Sequence, residues 1–253
     1  DAPAGLVVHA LGPMRVERAG QPLTRWGGDK AGSRQAQALF AFLFDRGDRG
    51  VAKDEVLELI WPDTDLERAD LAFHRTMVGL RRTLDPRGGG RTRSAVRFGN
   101  DRYRLDPVVV AWSDVAALED RMAAARAAGL DGAEPGTRIR LLEEARALVR
   151  GDYLDDCPFY GDSAEVEPRR EAIRRAHVDV LVALGEAYEA VGDRLAALEA
   201  YRDAERADPS VASRARDGLA RLETRERSET AVGPQGPSGT VTPLFAATLI
   251  FPS

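Results

Sequence analysis

Residues 64–105 read TDLERADLAFHRTMVGLRRTLDPRGGGRTRSAVRFGNDRYRL. Thr64 and Glu67 form the first and last positions of a capping box, which predicts a helix running to about Leu84. Stepping about 100° per residue from Phe73 brings Leu66, Met77, Leu80 and Leu84 onto one side, the expected buried stripe. The opposite side presents Leu71, Arg75, Val78 and Arg82, flanked by Gly79 and Arg81. After the helix comes a Gly-rich basic loop, Asp85 to Ser94. Two short extended runs follow, Ala95 to Phe98 and Arg102 to Leu105, about a Gly99-Asn100-Asp101 turn of the kind that closes hairpins.

Upstream, Leu6 to Gly12 and Met14 to Arg18 read as extended runs separated by Gly12-Pro13, with Gly20-Gln21-Pro22 as the next turn. A small antiparallel N-terminal sheet is expected there. Past Trp26-Gly27-Gly28 the period becomes helical: Ala36, Leu39, Phe40, Leu43 and Phe44 recur at helical spacing and stop at Gly47. A second helix covers about Asp54 to Ile60 and is halted by Trp61-Pro62. Sheet, three helices and an arginine-bearing hairpin is the order of a winged helix. In that fold the third helix enters a major groove and the wing lies along phosphate or the minor groove.

Downstream the chain reads as helices: Asp114 to Ala128, Thr137 to Arg150, then about Glu165 to Ala190 after an irregular segment. From Val178 to about Ser210, Leu181, Leu184-Gly185, Tyr188, Gly192, Ala197, Tyr201, Ala204 and Pro209 match the tetratricopeptide pattern of helix, tight turn, helix. One such repeat cannot bury its own faces, so the helices of 114–150 and Val211 to Arg227 are its expected stacking neighbours. A stacked array offers a concave surface for a peptide, a protein or a second copy of the chain. Gly233 to Gly239 reads as a flexible linker, and the apolar octet Leu244 to Phe251 ends the helical pattern. The octet is expected to dock on the open end of the array or on a partner, or to mark where a longer chain was cut, and the residues do not choose among these.

The charge is divided along the same line. The 253 residues are 43% hydrophobic and 30% charged with a net charge of -5, a composition that excludes disorder and a disulfide scaffold. Acidity taken whole argues against a nucleic-acid binder. Residues 1–107, however, hold 18 basic against 15 acidic side chains, and the remainder 18 against 26. Within 68–104 there are ten arginines and only Asp70, Asp85 and Asp101. A basic stripe beside an acidic body fits a module that faces a polyanion.

Catalysis finds no support. The single Cys157 excludes an internal disulfide and a thiolate metal cluster, and its acidic neighbours should raise the thiol pKa. His9, His74 and His177 form no local ligand motif. Gly88-Gly89-Gly90 lacks the Lys-Ser/Thr of a phosphate-binding loop, and Asp152, Asp155 and Asp156 lack the spacing of a calcium loop. No metal or cofactor is expected. The longest apolar run is far short of the roughly 20 residues that span a bilayer, so no membrane is expected and a reducing cytoplasm is the default compartment.

The stretches Leu11-Gly12-Pro13, Trp61-Pro62-Asp63, Leu80-Arg81-Arg82-Thr83-Leu84 and Arg102-Tyr103-Arg104-Leu105 together resemble the OmpR-type winged helix of SARP-like bacterial transcriptional activators. Trp112-Ser113-Asp114 and Arg150-Gly151-Asp152-Tyr153-Leu154, with the helices after them, are similar to the bacterial transcriptional activator domain that follows it in those proteins. The resemblance covers about residues 5–225. It implies a mainly α protein with small antiparallel sheets: a winged-helix DNA-binding unit over 1–107, a tetratricopeptide-like helical unit over 108–228, and a linker and apolar tail over 229–253. It implies binding to double-stranded DNA, with the array mediating dimerisation or contact with other transcription proteins such as RNA polymerase.

Where such proteins often carry polar groups toward DNA, this chain has Leu71, Ala72, Val78 and Gly79, none of which can donate to a base edge. The contact is therefore expected to fall on Arg75, Thr76, Arg81, Arg82, Arg97, Arg102 and Arg104, mostly at phosphate. The competing reading is a winged helix that has left DNA and uses Leu71 and Val78 to bind protein. A small ligand in the concave array is a third, for which the residues name no chemistry.

Overall fold

The computed structural model describes residues 5–27, 30–85 and 94–231. The glycines 88–90 of the basic loop, the linker from Gly233 and the octet from Leu244 lie outside the described residues. The architecture is mainly helical: small sheets and three helices form a winged helix, and five further helices form an array behind it.

Strands β1 (Leu6–His9) and β2 (Arg15–Arg18) form the expected antiparallel pair, and β3 (Gln21–Pro22) extends it to a meander where the sequence reads only a turn. Helix α1 (Lys30–Arg46) buries Ala36, Leu39, Phe40 and Leu43, and a short 3₁₀ turn, Gly47–Arg49, leads through β4 (Val51–Ala52) into α2 (Lys53–Ile60). Next comes α3 (Leu66–Leu84), then the hairpin β5 (Val96–Gly99) and β6 (Arg102–Leu105). Asn100 and Asp101 both take positive φ at the hairpin tip, 53° and 57°, the backbone of a type I′ turn. Strand β4 pairs with β6, so the wing is tied to the base of α2.

The two-residue β4 and one longer strand have no counterpart in the sequence reading. Val110–Ser113, β7, pairs in parallel with β1, so the first sheet runs β3-β2-β1-β7 and is not wholly antiparallel. Four residues of mixed polarity directly before a helix carry no period that would have revealed it. Through β7 the chain that opens the helical half is woven into the N-terminal sheet.

The array consists of α4 (Asp114–Leu130), α5 (Pro135–Leu148), α6 (Glu167–Ala190), α7 (Arg194–Ala207) and α8 (Ser213–Ala231), each packed on its neighbour in sequence. The repeat pattern acquires a physical reason at Tyr201. A Cβ on Gly185 of α6 or on Gly218 of α8 would fall 2.5 Å from this ring, so two glycines admit one buried tyrosine between three helices. Its hydroxyl donates to Glu189 at 2.6 Å, and Arg221 holds the same carboxylate at 3.0 Å. Helix α8 turns Arg216, Asp217, Glu223 and Arg225 outward, so its outer face is charged.

The winged helix and the near part of the array share one core, and α6, α7 and α8 close a second around Tyr201. At the junction Asp114, 1% exposed, accepts the backbone N–H groups of Ala10 at 2.8 Å and Leu11 at 3.0 Å, and receives Arg150 at 3.1 Å. The irregular segment after α5 acts as a strap: Arg150 and Leu154 donate backbone bonds to Leu11 and Ala10, and Asp156 accepts from the Met14 amide at 2.6 Å. Tyr160 stacks on Phe42 at 4.8 Å and donates to Asp45 at 2.6 Å. Of this carboxylate cluster Asp156 and Asp152 thus hold the chain together, Asp152 by an ion pair to Arg174 at 3.5 Å, while Asp155 is exposed.

Candidate nucleic-acid interface

The N-cap of α3 is Asp65, which accepts from the Arg68 amide at 3.0 Å, rather than Thr64. The helix buries Ala69, Phe73, Met77, Leu80 and Leu84, close to the expected stripe. Leu66 departs from that expectation: it is 73% exposed, because the first turn projects beyond the core that receives Phe73. Asp63, Asp65 and Glu67 are exposed around that turn, and Asp70 pairs with Lys53 and with His74 at 3.5 Å. Acid at a helix N-terminus suits the helix dipole and repels phosphate. The half of α3 suited to a polyanion therefore begins after residue 70.

Two further residues are corrected by packing. Thr76, expected among the DNA-facing donors, is 6% exposed, and Gly79, expected to flank the outer face, is buried. Helix α3 is covered from two sides: by α1 and the Trp26-Gly27 turn, and by Tyr103 of the wing, whose ring meets Phe73 edge-on at 5.3 Å. A Cβ on Gly79 would collide with the Gly27 carbonyl oxygen, so glycine here lets the helix lie against the turn backbone. Its absent side chain is a packing device.

The outer stripe is as the spacing predicts: Leu71 at 57% exposure, Arg75, Val78 at 47%, and Arg82. Arg75 and Arg82 are exposed and make no ion pair among the described residues. Beside them lies a groove of about 600 Å³ bounded by Gly27, Trp61, Ala72, Arg75, Val78 and Arg82.

The wing arginines are placed otherwise. Arg97 pairs with Asp106, a carboxylate 2% exposed that also accepts from the Val108 amide at 3.2 Å. Arg102 donates to the Gly50 carbonyl at 3.0 Å and to Glu55 at 3.2 Å, and the same Glu55 caps α2 at the Ala52 amide, 2.7 Å. Arg104 donates to the carbonyls of Asp48 at 2.7 Å and Gly99 at 2.9 Å, while Arg81 reaches the Val96 carbonyl at 3.3 Å. These four side chains brace the hairpin against α2, α3 and the turn before β4. Sequence alone shows their charge; the acceptors that claim them lie at loop carbonyls and at Glu55 and Asp106, which no local spacing connects.

No group of His, Cys, Asp and Glu that could hold a metal ion occurs among the described residues. Burial, more than the neighbouring carboxylates, pushes the Cys157 thiol up to about 12, so it is an inert core residue. Burial and then Arg146 hold the His177 imidazole below its ordinary value. No described helix is long and apolar enough to cross a membrane.

A solved structure shares this fold. Mycobacterium tuberculosis EmbR, in complex with a low-affinity phosphopeptide, aligns with a TM-score of 0.56 at 20% identity, over 89% of this chain and 68% of that one. The likeness is one of fold. No protein-family model matches the chain, and no curated protein matches it in sequence.

Proposed function

We propose that this protein is a DNA-binding transcriptional regulator of the SARP-like kind, acting in the cytoplasm without catalytic chemistry. The observation that carries the reading is the outer stripe of α3. In the winged-helix position that enters a major groove, it offers two exposed arginines to which no described carboxylate is bound. The fold shared with EmbR supports the architecture. Within the expected contact set, Arg75 and Arg82 touch the duplex, whereas Arg81, Arg97, Arg102 and Arg104 hold the wing and helix in place. Residues 1–107 form the DNA-facing unit, and 108–228 mediate dimerisation or contact with a transcription protein such as RNA polymerase.

A gel-shift salt series on random and genomic duplexes tests this. Binding at about 50 mM salt that weakens steeply by about 200 mM is the expected result. A specific observation favours a second reading: Leu66, Leu71 and Val78 stand exposed on one helix, an arrangement suited to a protein partner. Absence of any duplex binding at low salt would select it.

A further inference from the structure

The outer stripe alternates in chemistry along α3: Leu71, Arg75, Val78, Arg82. A helix that only held phosphate would gain nothing from a half-exposed leucine and valine interleaved with its free arginines, and exposing them to water is unfavourable. Most hydrogen-bonding neighbours that could have read a base in their place are engaged elsewhere; His74, exposed beside Arg75, pairs with Asp70 at 3.5 Å. Thr76 is buried, Gly79 has no side chain, and the arginines of the wing are committed to Asp106, Glu55 and loop carbonyls. In a major groove the apolar feature available to such side chains is the C5-methyl group of thymine.

We infer that Leu71 and Val78 are specificity-determining residues that select duplexes by their thymine methyl groups. The inference rests on the DNA-binding reading above and names what that surface recognises. Seven helical residues separate the two side chains by about 10 Å along the axis. At about 3.4 Å per base pair the preferred thymines lie roughly three steps apart. Arg75, between them, faces the intervening pairs, where guanine O6 and N7 are its bidentate partners. The site recognised is thus a thymine-rich step pattern punctuated by guanine, read without Asn, Gln or Thr.

The test uses the full chain and duplexes recovered by binding from a random pool, resynthesised with deoxyuridine for thymidine, which removes only the methyl groups. The expected result is an affinity loss of about tenfold on the uridine duplex, the burial of two methyl groups. The Leu71→Ala/Val78→Ala variant should bind both duplexes equally, at the level of the parent on uridine. Because both residues are exposed, its thermal midpoint should match the parent's. Equal affinity of the parent for the two duplexes would overturn the methyl readout while leaving DNA binding intact. Failure to bind any duplex would overturn both.

Discussion

The arginines of α3 and those of the wing are the same residue type in one basic stretch, yet they do different work. Arg75 and Arg82 stand on the convex side of a helix whose carboxylates, Asp65, Glu67 and Asp70, are gathered in its first turns. Arg97, Arg102 and Arg104 stand on a two-stranded hairpin, which is marginal alone and needs ties to the body. The wing spends its charge on those ties. Local charge density therefore identifies a basic module, but only the acceptors in reach decide which cations remain available to a ligand.

The largest effect expected on this contrast comes from neither set of arginines. Gly79→Ala inserts a methyl group against the Gly27 carbonyl and should cost about 3 kcal/mol in urea unfolding. Unchanged stability would mean that α3 is not seated against that turn. Arg97→Ala removes one ion-pair partner of the buried Asp106 carboxylate and should cost about 1 kcal/mol, with little change in the salt slope of DNA binding. A flattened slope with intact stability would move Arg97 to the phosphate-contacting set. The Arg75→Ala/Arg82→Ala variant should do the reverse: affinity for random duplex falls about tenfold and the slope by about one phosphate's worth, that of Arg82, while stability moves by less than about 0.5 kcal/mol. If this variant binds like the parent, the two regions do not differ as described.

The smallest effect separates the array from both. The folded pKa of His177 lies below its ordinary 6.5, so the fold favours the neutral ring. That stability is present above pH 6.5 and is lost as pH falls through it toward the depressed folded value. His177→Gln should remove part of the acid loss between about pH 7 and pH 5, by less than about 1 kcal/mol, without altering DNA affinity at pH 7. An unchanged pH profile would show that this ring is not held neutral by its surroundings.

Much of α3 is legible in the sequence because one period describes one helix. Leu71, Arg75, Val78 and Arg82 fall together for that reason. The period fails where the helix meets something other than a single flat core. At Thr76 and Gly79 a second neighbour, the Trp26-Gly27 turn, widens the buried face, and at Leu66 the core ends before the helix does. The tetratricopeptide frame was legible for a stronger reason: Gly185 and Tyr201 sit where small and large must interlock. Strand β7 and the ties of Arg97, Arg102 and Arg104 depend on partners distant in sequence, and no local pattern announces those. The free arginines could be told from the bound ones only after Glu55 and Asp106 were placed.

Asp114 carries a mechanical consequence. Its carboxylate grips two consecutive backbone amides of the first sheet from the first residue of α4, beneath the strap that crosses Leu11. Releasing those amides would orphan two buried N–H groups and leave the carboxylate to Arg150 alone. The end of β1 and the start of α4 are therefore pinned to one another at a single buried side chain.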